Sequence, residues 1–516
     1  MGGEYHDFAK EMRDRLNAVS PSLCLAKWQQ VSLHLPSGMT QSCYHPPTHK
    51  IPLDQLKDKP SVLHNTTIKI YERQQMLDGI RPEGCSYCWK VEDADSEDPK
   101  GHLSDRHYRS SEWWSAPTFE EVTTSKFDYD VTPRYVEVNF NQACNFKCMY
   151  CSPHLSSAWE EDVKKHGGFK LSNMVHNDLT ALERAGRMPL KVANKDNPYV
   201  QAFWQWWPTI YRKLRVFRMT GGEPLMDKNT FNVLDYVNEN PHGQLELSIT
   251  TNLCPPDQKL FTNFVDKVKA LEEIRTYDDP ENFNEHSGNY AYVDKGFKHF
   301  WLFVSLDGFG PQAEYIRDGL DFDRMLENVR TFLRETKHTS VSFINTFNLL
   351  SIPSLHKFLE MILELRKEFG ARNQIEFDIA PDPSHGIVHK HYKQEKFQRI
   401  WFDLPILRYP PWFSIQNAGK YGNDEVNRCL KFMEENVQQD DYADTFEGIK
   451  PYEILKVKRD LAIMQQSLPA DQLLLNKTNF YLFITEYNRR RKLSFLDTFP
   501  ELSSFWKECV KAHLGS

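Results

Sequence analysis

Three cysteines in one short run constrain this chain more than any other feature of its sequence. Cys144, Cys148 and Cys151 have a Cys-x3-Cys-x2-Cys spacing and follow an apolar run typical of a β-strand. Because thiolates are the usual protein ligands of iron–sulfur clusters, three of them this close together can enclose one cluster. A four-iron cluster with three protein ligands leaves one iron open to a small molecule, as catalytic metal sites do. The alternatives are a zinc site, with His154 as the nearest candidate fourth ligand, and buried structural thiols.

A second group of four cysteines precedes this run: Cys24, Cys43, Cys85 and Cys88. Four thiolates can close either a tetrahedral zinc site or a second iron–sulfur cluster, and the spacing does not separate the two. The run from Leu33 through the turn Pro36-Ser-Gly38 predicts a hairpin that delivers Cys43. The remaining three cysteines are isolated, so metal ligation explains the cysteine content better than disulfides do.

Length and composition restrict the class of protein. With 516 residues, of which 40% are hydrophobic and 13% aromatic, the chain can form two or three ordinary domain cores. The net charge of −8 argues against broad nucleic-acid binding through a basic surface. No apolar run approaches the ~18 residues of a membrane span, and the polar start of the chain lacks a signal-peptide core. Reduced thiols and an iron–sulfur cluster favour a cytoplasmic location.

From residue 134 onward, β-rich apolar runs alternate with amphipathic segments, a pattern that predicts an α/β fold with a parallel sheet. The predicted strands are residues 134–140, 216–220, 245–250, 300–306, 340–346 and 374–379. Helices are predicted at 229–238, 261–275, 322–336 and 354–369. Six such units predict a partial (β/α)6 barrel, in which the functional residues collect at the carboxyl ends of the strands.

Three further segments fall outside this repeat. Residues 164–212 contain the aromatic run Phe203-Trp-Gln-Trp-Trp-Pro208, which predicts a helix packed on the barrel, with a lid as the alternative. Residues 276–297 are acidic and aromatic and are interpreted as a solvated loop. The basic run Asn488–Lys492 is interpreted as the solvated end of a helix rather than a nucleic-acid site.

The segment Met219-Thr-Gly-Gly-Glu-Pro-Leu225 follows the second predicted strand, and its glycines let the backbone approach a ligand closely. Together with the cysteine triplet and Tyr150 beside its last member, this segment resembles the radical SAM enzymes. In that family the open iron binds S-adenosylmethionine, and one electron then yields a 5′-deoxyadenosyl radical. The resemblance extends over nearly the whole chain and implies a 4Fe–4S cluster, S-adenosylmethionine and a flavodoxin- or ferredoxin-type electron donor.

The first cysteine group resembles the SPASM/Twitch module, which carries auxiliary 4Fe–4S clusters in radical SAM enzymes that modify peptides. The module usually follows the barrel, whereas here it precedes it, as in a subgroup of Twitch-domain proteins. The resemblance implies three parts: a cysteine-rich module at 1–130, the barrel at 131–390 and a mainly helical region at 391–516. It favours a second 4Fe–4S cluster at the first cysteine group, with zinc as the alternative.

The resemblance also assigns residues to the cofactor pocket. Nine positions are expected there: Tyr150, Gly221, Gly222, Glu223, Pro224, Asn252, Ser305, Arg317 and Asn345. The Gly-Gly-Glu-Pro run would hold the amino group of S-adenosylmethionine, and Ser305 and Arg317 its ribose or carboxylate, which a guanidinium can grip with two hydrogen bonds. Tyr150 would pack the adenine or shield the iron.

Candidates for later chemical steps are fewer. Cys254 follows the third predicted strand, and its thiol is a candidate donor of a hydrogen atom to a substrate radical, with a buried apolar cysteine as the alternative. Asp378, Asp382 and His385 follow the sixth predicted strand as candidate bases or substrate anchors.

The resemblance implies hydrogen abstraction from a peptide or protein, giving a crosslink, an epimerised residue or an oxidised one. The alternatives are radical chemistry on a small metabolite or sugar nucleotide, modification of RNA, and a non-catalytic iron–sulfur protein. The acidic charge balance counts against RNA, and a non-catalytic protein has no need of the Gly-Gly-Glu-Pro run.

Overall fold

The computed structural model describes residues 2–95, 97–98, 100–272, 275–277, 292–294, 297–370, 398–438 and 446–515. The predicted strand at 374–379 and the candidates Asp378, Asp382 and His385 lie outside these ranges, as does most of the acidic segment 276–297. Within the described ranges, no helix is both long and apolar enough to cross a membrane.

The chain divides into two compact units. The first comprises residues 1–142, 186–221 and 244–248, and the second comprises residues 143–185, 222–243 and 249–516. The division into parts at 1–130, 131–390 and 391–516 stays a prediction.

The first unit contains a mixed sheet with the strand order β6-β5-β4-β1-β2-β3. Its strands are β1 (Gln30–His34), β2 (Met39–Gln41), β3 (His49–Lys50), β4 (Tyr135–Asn139), β5 (Val216–Thr220) and residues 244–248 of β6 (His242–Thr251). Strand β4 runs parallel to both β1 and β5, whereas β2 is antiparallel to β1 and β3. The antiparallel β1–β2 pair confirms the predicted hairpin before Cys43.

One face of this sheet is apolar because every second residue of β1, β4, β5 and the 244–248 segment of β6 is hydrophobic, as on a half-buried strand. The helix Pro198–Tyr211 covers that face, and its Phe203 and Trp207 rings lie 6.2 and 4.8 Å from the ring of Phe217 on β5. The aromatic run of the sequence is therefore part of a packed helix, as predicted.

The second unit contains the strand order β9-β8-β7, together with residues 249–251 of β6. Strands β7 (Phe297–Ser305), β8 (Thr339–Ile344) and β9 (Ile400–Asp403) are parallel where they pair. Five of the six predicted strands are thereby confirmed, and β9 was not predicted. Strands β7, β8 and β9 thus form a parallel α/β sheet, while closure into a partial barrel stays a prediction.

Helices fill the remainder of both units. In the first unit they are Gly2–Val19, Ala26–Gln29, Leu53–Leu56, Thr67–Leu77, Ser86–Glu92, Asp105–Ser111, Phe119–Thr124 and Pro198–Tyr211. In the second unit they are Ser157–His166, Leu179–Arg184, Lys228–Glu239, Gln258–Glu272, Gly310–Ile316, Phe322–Glu335, Leu355–Phe369, Gly419–Glu435, Pro451–Met464, Ala470–Arg491, Phe495–Thr498 and Ser503–Leu514. All four predicted helices of the repeat are present, each within a few residues of its predicted bounds.

The interpretation of the basic run as a solvated helix end is wrong for two of its arginines. The side chains of Arg490 and Arg491 are only 1% and 5% exposed. Arg490 is paired with Asp162 at 2.9 Å, and Arg491 with Asp318 at 2.8 Å. Arg489, with 63% of its side chain exposed, and the exposed Lys492 behave as predicted. Burial of two cations is stable here because each has a carboxylate partner.

A buried ion pair between the helices Leu355–Phe369 and Pro451–Met464 yields a stability prediction. The guanidinium of Arg366 binds both oxygens of Glu453 at 2.6 and 3.0 Å, and both side chains are fully buried. Replacing Glu453→Ala leaves an unpaired buried charge and should lower the free energy of unfolding by about 3–5 kcal/mol. Urea denaturation measures this change.

Glu368→Ala is the matched control, because Glu368 pairs with Arg330 with 38% of its own side chain exposed. We expect this control to lose less than about 1 kcal/mol. Equal losses in the two variants would contradict the prediction.

Candidate functional site

The cysteine triplet lies in a short loop of the second unit, which follows β4 in the chain. Residues Lys147–Cys148 of the loop pair antiparallel with Arg317–Asp318. The amide of Cys151 donates to the carbonyl of Cys148 at 2.9 Å, which turns the chain between the two thiols. The Trp159 indole donates to the same carbonyl at 2.9 Å. The fold therefore holds Cys148 and Cys151 in one braced turn, and all three cysteines of the loop are half-buried.

Burial raises the pKa of all three thiols, that of Cys144 to about 12. Proximity adds to this effect: Cys148 raises the pKa of Cys144, and both raise that of Cys151. Neighbouring thiolates repel one another, and a shared metal cation offsets this repulsion and stabilises the deprotonated form. The irons of an iron–sulfur cluster would supply that positive charge. Among the described residues, no set of three or more Cys, His, Asp or Glu side chains already has metal-binding geometry. The loop thus brings the ligands together without fixing their coordination.

The Gly-Gly-Glu-Pro segment follows β5 and is tightly held at its glutamate. Glu223 is 1% exposed, and its carboxylate accepts hydrogen bonds from the amide of Leu225 (3.0 Å), the hydroxyl of Thr251 (2.6 Å) and the amide of Asn252 (2.7 Å). Its own amide donates to the carbonyl of Ala143, beside the first cysteine of the triplet, at 2.7 Å. Burial raises the pKa of Glu223 despite these donors.

A side chain is excluded at the first glycine of the segment. Gly221 has a φ of +125°, and a Cβ there would collide with the carboxamide of Asn139. Only glycine adopts this backbone readily and leaves that space open.

Arg317 is buried beside the cysteine loop and has an internal carboxylate partner. Its Nε lies 2.8 Å from Asp307 Oδ2, an ion pair whose angle does not make a hydrogen bond. One terminal nitrogen donates to the Tyr150 hydroxyl at 2.6 Å, and the other donates to Cys148 Sγ at 3.5 Å. The Tyr150 hydroxyl in turn donates to Asp307 at 2.5 Å. An Arg317 that grips a cofactor carboxylate must therefore share its guanidinium with Asp307.

The three remaining predicted pocket residues differ in their surroundings. The Asn252 side chain donates to the Asn145 carboxamide at 3.0 Å and accepts from the Cys254 amide at 2.9 Å. Ser305 is half-buried at the carboxyl end of β7. Asn345 is fully buried, and within the described part of the chain neither polar atom of its carboxamide has a hydrogen-bond partner. Because an unpaired buried amide is costly, a polar ligand at Asn345 fits this position.

Cys254 is fully buried and its sulfur points at a helix start. Arg324 donates to Cys254 Sγ through two nitrogens at 2.7 and 3.1 Å, and Sγ lies 3.8 Å from the Asp321 carbonyl. The Cys254 carbonyl, by contrast, accepts a hydrogen bond from Asn145 of the cysteine loop at 2.9 Å. The proposed donor role of this thiol stays a prediction.

The first unit brings its four cysteines together around one cavity. Burial raises the pKa of all four thiols, that of Cys43 to about 12, and Cys24 further raises the pKa of the other three. Buried Ser42 also lines the cavity, and the Ser42 hydroxyl has no hydrogen-bond partner among the described residues. A cluster whose sulfurs can accept a hydrogen bond from the Ser42 hydroxyl fits this cavity.

Cations surround the same cavity, which sequence analysis did not foresee. Lys27, Arg106 and Arg109 line it. The first two are buried and paired with Glu72 at 2.7 Å and Glu92 at 2.9 Å, respectively. Although burial opposes protonation, attraction to Cys85 and Glu72 raises the pKa of Lys27 above its usual value. A metal centre with four thiolate ligands is negatively charged, so these cations favour it.

Sequence reasoning also missed Asp307 and Thr251, the partners of Arg317 and Glu223. Each had a signal, because Asp307 stands in the same strand-end segment as Ser305, and Thr251 directly precedes Asn252. Their roles depend on contacts between distant segments, which no local pattern reports.

No family model matches the chain, and no curated protein is similar to it. Among solved structures it is similar to crystal structures of SuiB from Streptococcus suis. SuiB bound to the precursor peptide SuiA is 12% identical with a TM-score of 0.23, covering 66% of this chain and 60% of SuiB. SuiB bound to S-adenosylmethionine is 11% identical with a TM-score of 0.25, covering 70% of this chain and 65% of SuiB. The chain thus spans less than two thirds of the SuiB chains, and a likeness this weak carries no argument.

The hydrogen bonds of Glu223 predict the effect of one substitution. In Glu223→Gln, an amide NH₂ replaces an oxygen, so one backbone or hydroxyl donor now faces another donor. We expect the free energy of unfolding to fall by about 1–3 kcal/mol, the cost of an unsatisfied buried polar group. Urea denaturation of the metal-free protein measures it.

The exposed Glu239 on the following helix provides the matched control. Glu239→Gln should change stability by no more than about 0.5 kcal/mol. An unchanged stability in Glu223→Gln would show that its three acceptor contacts do not hold the segment.

Proposed function

We propose that the chain is a radical SAM enzyme. The observation that carries the proposal is the gathering of the three triplet thiols in one half-buried loop. The Gly-Gly-Glu-Pro glutamate supports it, since its backbone amide is bonded to Ala143 at the start of that loop. The two features are the cysteine triplet and the Gly-Gly-Glu-Pro run, on which the resemblance to the radical SAM enzymes rests.

The residues divide into those that would hold the cluster and those that would hold the nucleotide. Cys144, Cys148 and Cys151 supply three thiolates, which suits a four-iron cluster with one open iron. Oε2 of Glu223 accepts only the Asn252 amide and keeps one acceptor position for an ammonium group, whereas Oε1 already accepts two hydrogen bonds. The unpaired carboxamide of Asn345 can bind a further polar group of the ligand. When bound and reduced, the cluster and S-adenosylmethionine supply a 5′-deoxyadenosyl radical.

We also propose that the four-cysteine cavity of the first unit holds an auxiliary 4Fe–4S cluster. The resemblance of this cysteine group to auxiliary-cluster modules favours a cluster over a single zinc ion, and the unpaired Ser42 hydroxyl is placed to donate to a sulfur of the bound centre. Four protein ligands would saturate that cluster, so it suits electron transfer or structure rather than substrate binding.

The proposed substrate is a peptide or protein side chain, from which hydrogen is abstracted at an unactivated carbon. This choice rests on the resemblance of the first cysteine group to modules found in peptide-modifying enzymes. A small metabolite is the alternative substrate. A flavodoxin- or ferredoxin-type protein is the proposed electron donor.

Removing the triplet thiols tests the central proposal. Cys144→Ala, Cys148→Ala and Cys151→Ala combined should abolish reductive cleavage of S-adenosylmethionine, because no open-iron cluster can form. The measurement is 5′-deoxyadenosine released by anaerobically reconstituted protein with dithionite, resolved by chromatography.

The matched control replaces Cys429 and Cys509 by Ala, two buried cysteines that stand apart from both groups. This control should retain cleavage. Cleavage at the wild-type rate by the triple variant would exclude the triplet as the reactive site.

Metal analysis tests the auxiliary centre separately. Reconstituted protein should hold about eight irons per chain if both sites carry four-iron clusters. Replacing Cys24, Cys43, Cys85 and Cys88 by Ala should halve the iron and spare some cleavage. About four irons and one zinc per wild-type chain would reject the second cluster but leave the radical SAM proposal standing.

A further inference from the structure

The Tyr150–Arg317–Asp307 triad connects the cysteine loop to two strand ends of the second unit. Arg317 is 6% exposed and Asp307 is fully buried, so their ion pair is shielded from water. The free Asp307 oxygen accepts the amide of Thr346, just past the end of β8, at 2.8 Å. Asp307 is therefore fixed by the backbone, and it in turn fixes the guanidinium.

Arg317 is also held by its backbone opposite one cysteine of the triplet. Arg317 and Cys148 are direct partners in the short antiparallel pair. The next residue, Asp318, binds both Lys147 at 3.0 Å and Arg491 at 2.8 Å. Backbone pairing and the ion pairs of the neighbouring Asp318 together fix the position of the guanidinium relative to Cys148 Sγ.

Of the three groups that Arg317 contacts, one is a proposed cluster ligand: a terminal N–H donates to Cys148 Sγ at 3.5 Å. Hydrogen bonds to the sulfurs of an iron–sulfur cluster are among the factors that set its reduction potential. A hydrogen bond from a charged guanidinium is strong in a buried site, because the local dielectric constant is low. A hydrogen bond to a ligating thiolate stabilises the reduced cluster more than the oxidised one, because the reduced cluster is more negative. The hydrogen bond therefore raises the reduction potential of the cluster.

We propose that Arg317, oriented by Tyr150 and Asp307, is a positioning residue that raises the reduction potential of the triplet cluster through its hydrogen bond to Cys148. This inference rests on the proposed function, because it requires a cluster at the triplet. It gives Arg317 a role apart from gripping a cofactor carboxylate, and it gives Asp307 a role that the sequence did not indicate.

Two substitutions test the proposal. Arg317→Gln removes both the charge and the guanidinium donor, whereas Tyr150→Phe keeps the ring and the arginine but removes the hydroxyl that orients it. The midpoint potential of the cluster is measured by a redox titration followed by electron paramagnetic resonance, without S-adenosylmethionine. The titration uses protein in which Cys24, Cys43, Cys85 and Cys88 are replaced by Ala, so that only the triplet cluster contributes.

In Arg317→Gln we expect at least a tenfold fall in the ratio of reduced to oxidised cluster at a fixed potential, equal to about 59 mV. Tyr150→Phe should shift the potential in the same direction by a smaller amount. Arg330→Gln is the matched control, since it removes an arginine of the helix Phe322–Glu335 that pairs with Glu368 instead of a cysteine. The control should leave the potential unchanged.

The outcomes separate this inference from the proposed function. If both variants keep the wild-type potential with normal iron content, the inference is wrong and the radical SAM proposal stands. A loss of affinity for S-adenosylmethionine with unchanged potential would likewise overturn it, in favour of the carboxylate-gripping role. If Arg317→Gln does not retain iron, the shift in Tyr150→Phe decides the matter. If the protein that lacks the four cysteines of the first group holds no cluster at the triplet, the proposed function itself is refuted.

Discussion

The proposed chemistry depends on a constraint at the cysteine loop: three thiols that are unfavourable as thiolates are held together by the fold. Backbone pairing of Lys147–Cys148 with Arg317–Asp318 forms the turn, and the Trp159 indole braces it from the following helix. Burial disfavours the anionic thiolates, so a metal cation is needed to stabilise them. The fold supplies the ligands in advance, and the cluster would supply the charge that makes them stable.

The same principle applies in the first unit, where burial also disfavours the thiolates. There the thiols share a cavity with Lys27, Arg106 and Arg109. Glu72 and Glu92 partner the first two of these cations. Buried cations of this kind favour an anionic centre, as a metal ion or cluster with four thiolate ligands would be. The two cysteine groups thus differ in surroundings, not only in number of ligands.

The parts of the candidate site that depend on short spacing could be predicted from the sequence, whereas those that depend on tertiary contacts could not. The triplet, the Gly-Gly-Glu-Pro run and five strands were predictable because their patterns are local. Strand β9 was missed because it is only four residues long. Burial of Arg490 could not be read from a basic run, since its partner Asp162 is 328 positions away. The contact of Arg317 with Asp307 is similar, because only the fold shows that this cation already has an anion.

The claim that one iron of the triplet cluster stays open to a ligand is the centre of this account. Electron paramagnetic resonance of the reduced protein, recorded before and after adding S-adenosylmethionine, tests it most directly. Binding of the amino and carboxylate groups to that iron should shift the signal of the reduced cluster. A signal that is identical in both samples, with the cluster fully reduced, would contradict the account.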